Sequence, residues 1–517
     1  MTGQCRAVPD LAPRQFGKNL AVNIASLGTS TLVGFFLAPF LVRKLGVAGY
    51  GLVPLTYSIV NYLYVANVAL NAATARNISI ALTRGDRAQA IDIFSTALWG
   101  SLALGVVLLV IGVGLSFSAP SLIRIPAGFE PDARVLLMAA TANLVLVLVS
   151  SPLSVAIYYT NRLDKKGQIE IVNRVVNVGL VVFLVTAVSA RPAMVGLALL
   201  ASGIVSLLQT VTWLMRRMPW LKPRLMFDRE VFVDLLQFGG WSVVAFTGNM
   251  VFLTIDVILV NRLIGPVEGG IYGALMQWPT MIRALATTVA SVFSQPMAHI
   301  YAKDGPEGLS RHSVRAVRIL AAVVLVPTVV VAGSARPLLK LWLGEAIAPW
   351  WPLLLLVIVH LGYNLATMPL VTALQTVRKV RAIGMITCLA GVLDVGLAVL
   401  VVRTTTLGAY GVALASAAAF TLLGAVLMPL YAKTVFGIPA RATFSPVVKA
   451  ASLAIVGALV GNVISVSCGV SGWRQLLALA SALTATTAAS SFYFVLSAAD
   501  RDSIRRMLAE SMRGLKA

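Results

Sequence analysis

Leu41-Val-Arg-Lys-Leu-Gly46, followed by Gly49-Tyr-Gly51, recurs as Leu259-Val-Asn-Arg-Leu-Ile-Gly265, followed by Ile271-Tyr-Gly273. Four further matches occur in the same order, and all five pairs are roughly 215–222 residues apart. They are Ser118-Ala-Pro120 with Ser334-Ala-Arg-Pro337, Pro152 with Pro369, Asn177-Val-Gly-Leu180 with Asp394-Val-Gly-Leu397, and Gly196-Leu-Ala-Leu199 with Gly411-Val-Ala-Leu414. One short match is weak evidence, but five in register indicate an internal duplication.

The composition around this repeat is that of a membrane protein. The 517 residues are 58% hydrophobic and 12% charged, whereas a soluble domain is about 25% charged. Apolar runs of about 20 residues, each long enough to cross a bilayer as a helix, recur along the whole chain. The sequence therefore predicts an all-α integral membrane protein of about fourteen transmembrane helices.

Each copy of the repeat contains six of these predicted spans. An even number gives both copies the same topology, so we expect two lobes related by a pseudo-twofold axis along the membrane normal. The predicted domains are an N-terminal six-helix lobe (1–217), a C-terminal six-helix lobe that repeats it (232–435), two extra transmembrane helices (440–500) and a basic cytoplasmic tail (501–517).

The net charge of +22 would suggest nucleic acid as a partner if the protein were soluble. Here the basic residues lie between apolar runs, which indicates membrane orientation and contact with anionic lipids. Roughly three times as many Lys and Arg residues fall on the side of the N-terminus as on the other. Both termini are therefore predicted to be cytoplasmic, and the first span, Leu20–Val42, is too long for a signal-peptide core.

Two further features are assigned to packing. Cys5, Cys388 and Cys468 have neither metal-binding spacing nor the pattern of a disulfide framework. His360, alone in its span, is expected to pack or hydrogen-bond rather than to relay protons.

Polar side chains follow one face of several predicted spans. In the first span Asn23 and Ser30 match Ser242 and Asn249 of the seventh at the repeat offset. Because polar groups avoid lipid, these faces either line a cavity or join helices through hydrogen bonds. The candidate cavity residues are Asn23, Asn61, Tyr64, Asn71, Asn249, Arg283 and Thr287.

Only three charged residues lie deep within predicted spans, namely Asp256, Arg283 and Asp394. A charge facing lipid there costs about 2.5–3.5 kcal/mol on insertion scales. These residues therefore either form a buried structural ion pair or line a cavity. Asp256 and Asp394 are the candidates for the charge pair or for a coupling site.

The repeat motifs also carry a family resemblance. The relevant segments are Leu45-Gly-x2-Gly-Tyr-Gly51, Ile255-Asp256 leading into Ile264-Gly265 and Gly270-Ile-Tyr272, Pro337-Leu-Leu-Lys-Leu-Trp-Leu-Gly344, and Asp394-Val-Gly-Leu397. From about residue 15 to residue 500 the chain resembles the polysaccharide (O-antigen-type) flippases of the multidrug/oligosaccharidyl-lipid/polysaccharide (MOP) exporter superfamily.

The resemblance implies a transporter and no enzyme. Such a protein flips an undecaprenyl-diphosphate-linked oligosaccharide across the bacterial inner membrane by alternating access, for lipopolysaccharide or other surface polysaccharides. It implies no cofactor beyond coupling to H⁺, Na⁺ or the membrane potential. The implied partners are the lipid-linked substrate and, as a further possibility, other polysaccharide-assembly membrane proteins. In related flippases, two extra C-terminal helices help to form a groove for the lipid tail.

The chemistry of the substrate agrees with this expectation. Arginine holds phosphate oxygens through paired hydrogen bonds, so Arg283 is the candidate for the diphosphate, supplemented by Arg76 and Arg174 near helix ends.

Two alternative functions stay open. A multidrug or organic-cation antiporter of the same superfamily would use Asp256 and Asp394. A membrane glycosyltransferase or polymerase is less favoured, because the predicted outside loops are short and poor in clustered acids.

Overall fold

The computed structural model describes most of the chain, and the described part is helical almost throughout. The described residues are 13–65, 67, 74, 77–78, 80–160, 162–226, 228–229, 233, 246–248, 250–251, 253–294, 296–437, 440–503 and 505–506. No strand occurs within these ranges. The prediction of an all-α membrane protein is confirmed.

The chain divides into two compact units, Met1–Phe246 and Thr247–Ala517. The domain boundaries taken from the repeat remain a prediction. In the described part of the first unit, the helices with defined bounds are α1 (Pro13–Leu63), α2 (Arg87–Leu122), α3 (Glu130–Leu153), α4 (Val155–Tyr159), α5 (Leu163–Phe183) and α6 (Pro192–Arg217), with a π-helical segment at Leu184–Val188.

The first copy of the repeat motif contains a break in α1. Gly46 has φ 72° and ψ 165° inside this helix, a conformation that glycine adopts readily because it lacks a Cβ. The first predicted span lies before this break, and the start of the second, Ala48–Ala73, lies after it. The second copy of the motif contains a helix boundary at the matching glycine, Gly265, which precedes the first helix labelled in the second unit.

Within the first unit, α3 packs against both α2 and α6. Small residues allow the close approach: a Cβ at Gly196 on α6 would lie only 3.0 Å from the Cα of Leu136 on α3. In a membrane, where lipid is as apolar as a side chain, such contacts supply much of the association between helices.

The second unit contains several helices that are interrupted within a span. Its helices are α7 (Pro266–Leu275), α8 (Gln277–Ser294), α9 (Met297–Gly333), α10 (Ala335–Leu343), α11 (Trp351–Val359), α12 (Leu361–Asn364), α13 (Met368–Thr376), α14 (Val380–Thr404), α15 (Ala409–Phe420), α16 (Met428–Phe436), α17 (Ala440–Ser467) and α18 (Trp473–Phe494). Two π-helical segments, Val260–Ile264 and Thr421–Leu427, and two 3₁₀ turns, Ala348–Trp350 and Leu365–Thr367, join them. Departures from α geometry inside helices are frequent at functional sites.

The last two helices, which lie outside the repeat, pack on α9. At Gly461 of α17 a Cβ would lie 2.7 Å from the Cα of Gly333, so only glycine fits there. The neighbouring Asn462 donates a hydrogen bond from Nδ2 to the carbonyl oxygen of Ala332 at 2.6 Å. These contacts fix α17 against the end of α9.

The chain that follows α18 is held by Asp500. Its carboxylate accepts hydrogen bonds from Arg318 Nε at 2.7 Å and from Ser497 Oγ at 2.6 Å, and Arg315 Nε lies 3.4 Å away. Burial alone would raise the pKa of Asp500, but the bonds from Ser497 and Arg318 outweigh it and hold that pKa below 3.8. Asp500 thus anchors the start of the predicted basic tail to α9.

Eleven helical runs in the described part of the chain are long and apolar enough to cross a membrane. Many large apolar side chains on them are exposed, Val110 by 67% and Val392 by 70%, as lipid-facing residues are. The predicted count of fourteen is not confirmed. The first two predicted spans join in one helix bent at Gly46, the first ten residues of the seventh (Leu236–Asn261) lie outside the described residues, and the eighth (Glu268–Met297) is interrupted at Met276.

Candidate functional site

Two buried carboxylates in the second unit share one serine hydroxyl. Ser416 Oγ, on α15, lies 2.7 Å from Asp256 Oδ2 and 2.8 Å from Asp394 Oδ1. Asp256 belongs to the helical residues 253–259 that lead into a π segment, and Asp394 lies midway along α14. Tyr272, on α7, donates a second hydrogen bond to Asp256 Oδ2 at 2.9 Å. All four side chains are at most 5% exposed.

This arrangement has more acceptors than donors. A serine hydroxyl carries one hydrogen and can donate it to only one carboxylate at a time. Asp256 Oδ1 and Asp394 Oδ2 are buried, and neither has a hydrogen-bond partner among the described residues. Burying two charged carboxylates without compensation is unfavourable. A proton on one acid, or a small cation between them, would relieve this cost.

Arg283 is positioned by α8 over the ring of Phe420, the last residue of α15. Its Cζ lies 4.3 Å from the ring centroid, within the range of a cation–π interaction. The sequence left open that Asp256 or Asp394 pairs with Arg283. No carboxylate lies within 4.0 Å of its guanidinium among the described residues, although Asp256 is near enough for electrostatic attraction. Asp256 is instead held by Ser416 and Tyr272, and Asp394 by Ser416.

Arg283 lines a cavity of about 640 Å³ built from the second unit. This volume is within the range of pockets that hold small ligands. Polar side chains of α8, α12 and α13 and apolar side chains of α13 and α14 share the lining, which includes Arg283, Thr287, Ser291, Ser294, Asn364, Thr372, Gln375, Ile383 and Thr387. The cavity therefore offers one cation and several hydroxyl and amide groups to a ligand.

Asn364 is the buried polar residue of this lining whose hydrogen bonds are incomplete. Its Nδ2 donates to Thr421 Oγ1 at 3.2 Å and lies 3.3 Å from Nδ1 of His360. Its Oδ1 has no hydrogen-bond partner among the described residues, although the side chain is only 5% exposed. A buried acceptor without a donor is costly, so a ligand hydroxyl in the cavity would satisfy it.

Irregular helical segments pack closely around Asn364. Thr421 begins the π-helical segment that continues α15, and a Cβ at Gly424 would lie 3.2 Å from the carbonyl oxygen of Asn364. His360 packs on Phe420 with ring centroids 5.3 Å apart. The ring of Phe420 is therefore placed between His360 and Arg283, and His360 has the packing role that the sequence predicts.

A family model described as "Polysaccharide biosynthesis protein" matches residues 16–297, more than half of the chain. The chain belongs to the polysaccharide biosynthesis protein family. The resemblance stated from the sequence motifs is thus confirmed at the level of the polysaccharide biosynthesis family.

Relatives of this family member agree in length and fold. The Bacillus subtilis (strain 168) protein known as uncharacterized membrane protein EpsK is 28% identical over 491 residues, which cover 94% of this chain and 97% of that protein. The lipid II flippase MurJ in its inward closed conformation superposes with a TM-score of 0.71 at 12% identity, covering 92% of this chain and 98% of that one. An inward-facing multidrug resistance MATE transporter of the MOP superfamily gives 0.62 at 17% identity, covering 81% and 98%. At these identities the structures show the shared fold.

Several of the predicted site residues of this polysaccharide biosynthesis protein meet in the second unit. Arg283 and Thr287 line the cavity, and Asp256 and Asp394 are brought together by Ser416. The sequence missed Ser416, Phe420 and Asn364 as site residues. Ser416 and Phe420 lie in a run of small apolar residues that carries no polar periodicity.

The predicted site residues of the first unit are described only in part. Asn61 is exposed near the end of α1. Tyr64 is half-buried, with its ring centroid 6.3 Å from that of Phe246. The side chain of Asn23 and all of Asn71, Arg76 and Ser242 lie outside the described residues, as does Asn249 of the second unit. Their assignment to a cavity remains a prediction.

Proposed function

We propose that this protein flips an undecaprenyl-diphosphate-linked oligosaccharide across the bacterial inner membrane for the synthesis of a surface polysaccharide such as O-antigen. The family and the fold support transport of a lipid-linked precursor. The single observation that carries the proposal is Arg283, a membrane-embedded cation that faces a 640 Å³ cavity and forms no ion pair with a described acid.

The lining matches the two parts of such a substrate. A guanidinium presents paired N–H groups to phosphate oxygens, and the cation–π contact with Phe420 orients it without using those donors. Asn364 Oδ1 and the hydroxyl of Thr287 suit sugar hydroxyls. The diphosphate would bind at Arg283, and the first sugar toward Asn364.

The buried acid pair supports coupling of transport to an ion. Asp256 and Asp394, bridged by Ser416, provide an all-oxygen site that a proton or a sodium ion would complete. In the described part of the chain no group of three or more His, Cys, Asp or Glu residues is arranged for a metal ion. The ion that we propose for this pair is singly charged.

The acid pair also favours the second candidate, an antiporter of organic cations. In that case the carboxylates would bind the drug or exchange it for the ion, but the positive charge of Arg283 in the cavity lining disfavours a cationic drug there. The orientation that we propose, with both termini cytoplasmic, is the same for both functions.

Depletion of the protein tests the proposal in the native host. A flippase leaves its lipid-linked oligosaccharide on the cytoplasmic leaflet, so this intermediate should accumulate and become identifiable by mass spectrometry. Re-expression of the wild type should clear it, whereas the Arg283→Ala variant should not. Unchanged lipid-linked pools together with greater sensitivity to cationic drugs would establish the antiporter instead.

A further inference from the structure

A basic pocket lies in the second unit, at the end of the helices that the charge bias assigns to the cytoplasm. It is a cavity of about 390 Å³ between α9, the first turns of α17 and the chain after α18. We call it the α17 pocket. Its polar lining consists of Arg318, Arg441, Ser445, Lys449 and Ser497.

One helix face supplies most of this lining. Arg441, Ser445 and Lys449 are spaced by four residues along α17, so their side chains lie one above the other. Arg441 and Lys449 are exposed, and neither has an acidic partner among the described residues. Asp500, the carboxylate bound to Arg318 of the lining, is also bound by Arg315 and Ser497. The α17 pocket therefore has an excess of positive charge.

The apolar surroundings show what kind of anion suits the pocket. Val495, Leu496 and Pro446 form its walls. Above Lys449 the same face of α17 continues through Ser452 to Val456 and Val460, which are 57% and 48% exposed. Lys449 and Val460 are about 16 Å apart along the helix axis, close to half of the roughly 30 Å hydrocarbon core. A phosphate in the pocket would thus have an acyl chain lying along one leaflet of α17.

We propose that the α17 pocket is a binding site for the phosphate of an anionic phospholipid of the cytoplasmic leaflet. Basic pockets between transmembrane helices at this level are suited to such headgroups. The two hydroxyls, of Ser445 and Ser497, add hydrogen-bond donors for phosphate oxygens. This site is separate from the Arg283 cavity and does not rest on the proposed transport function.

The test uses the purified full-length protein, with phosphatidylglycerol and phosphatidylcholine as probes in native mass spectrometry. The wild type should retain phosphatidylglycerol in preference to phosphatidylcholine. The Arg441→Gln/Lys449→Gln variant should bind phosphatidylglycerol at least about 10-fold more weakly, since one direct hydrogen bond from a charged side chain to the phosphate contributes about 10-fold or more. Phosphatidylcholine binding should not change.

A matched control separates the pocket from general charge. Lys303→Gln/Lys433→Gln removes the same charge from exposed residues that do not line the pocket, and it should leave phosphatidylglycerol binding within about twofold of the wild type. An equal loss in the control and in the pocket variant would overturn the proposal.

A charge-neutral change guards against misfolding of the pocket variant. Ser445→Leu fills the cavity while keeping all its cations, and it should also weaken binding; retention of full affinity would contradict the pocket. Millimolar inorganic phosphate should not displace the lipid. Displacement by inorganic phosphate would show a soluble-phosphate site in place of a lipid site.

Discussion

Replacement of Arg283 by alanine is the perturbation that tests the substrate site most directly. The guanidinium has no carboxylate within 4.0 Å in the described structure, so its removal orphans no ion-paired acid. The structural loss is the contact with Phe420, worth about 0.5–2 kcal/mol. We therefore expect Arg283→Ala to insert normally and to unfold within a few degrees of the wild type.

The effect on substrate should be much larger. A hydrogen bond to a charged group contributes about 1.5–3 kcal/mol, which corresponds to about 10- to 150-fold in affinity. Arg283→Lys should recover only part of this loss, because lysine keeps the charge but lacks the planar pair of donors. Flipping of a fluorescent lipid-linked oligosaccharide in proteoliposomes measures the effect on transport, and binding of an isoprenyl diphosphate to the purified protein measures affinity.

The structural alternative is that Arg283 serves only to compensate the negative charge of the buried acids. Under that explanation Arg283→Ala combined with Asp256→Asn should restore transport, whereas phosphate binding predicts that the double variant stays defective. Normal flipping by the double variant would refute our assignment. Arg403→Ala, which removes an exposed arginine near the end of α14 away from the cavity, is the matched control and should transport like the wild type.

Three further outcomes are expected. Ser416→Ala removes the bridge between two buried carboxylates and should lower the free energy of unfolding by about 2–3 kcal/mol, measured by chemical denaturation; an unchanged value would contradict the bridge. The Asp500 anchor should be fully present above pH 3.8 and be lost as the pH falls through its lowered folded-state pKa, seen as protease cleavage of the tail; Asp500→Asn should be cleaved at all pH values. Cys468 is exposed between α17 and α18. It should therefore react with an impermeant maleimide in intact spheroplasts, whereas the Cys468→Ser variant should not. Labelling of a cysteine introduced at position 217 instead would reverse the predicted topology.

Much of the architecture could be predicted because membranes impose simple rules. Apolar run length and internal repetition identified a helical, duplicated membrane protein before any contact was known. The number of spans is harder to predict from the sequence. The apolar pattern does not distinguish two helices from one bent at Gly46, and it does not show that the eighth span is interrupted at Met276.

The charged part of the site was equally visible, since charges deep in apolar spans are rare and costly. The contacts that these charged side chains make cannot be predicted from the sequence. The sequence leaves open whether Arg283 pairs with an acid, because that pairing depends on how α8, α14 and α15 are oriented against each other. In the structure the acids meet Ser416 and the arginine meets Phe420. Sequence spacing within one helix carries no information on such contacts.

The repeat explains why the two units differ at one helix–helix contact. Asn177 and Asp394 occupy matching positions of the two copies, and each contacts a serine of the next long helix: Asn177 Nδ2 donates to Ser202 Oγ at 3.3 Å, and Ser416 donates to Asp394 at 2.8 Å. The contact is the same, but the amide of Asn177 is neutral and supplies its own hydrogens, so that pair is complete without an ion. The carboxylate of Asp394 supplies none, and it shares its serine with Asp256. One difference between amide and acid at equivalent positions thus completes the contact in the first unit, whereas in the second it leaves a buried carboxylate oxygen that a proton or a cation would satisfy.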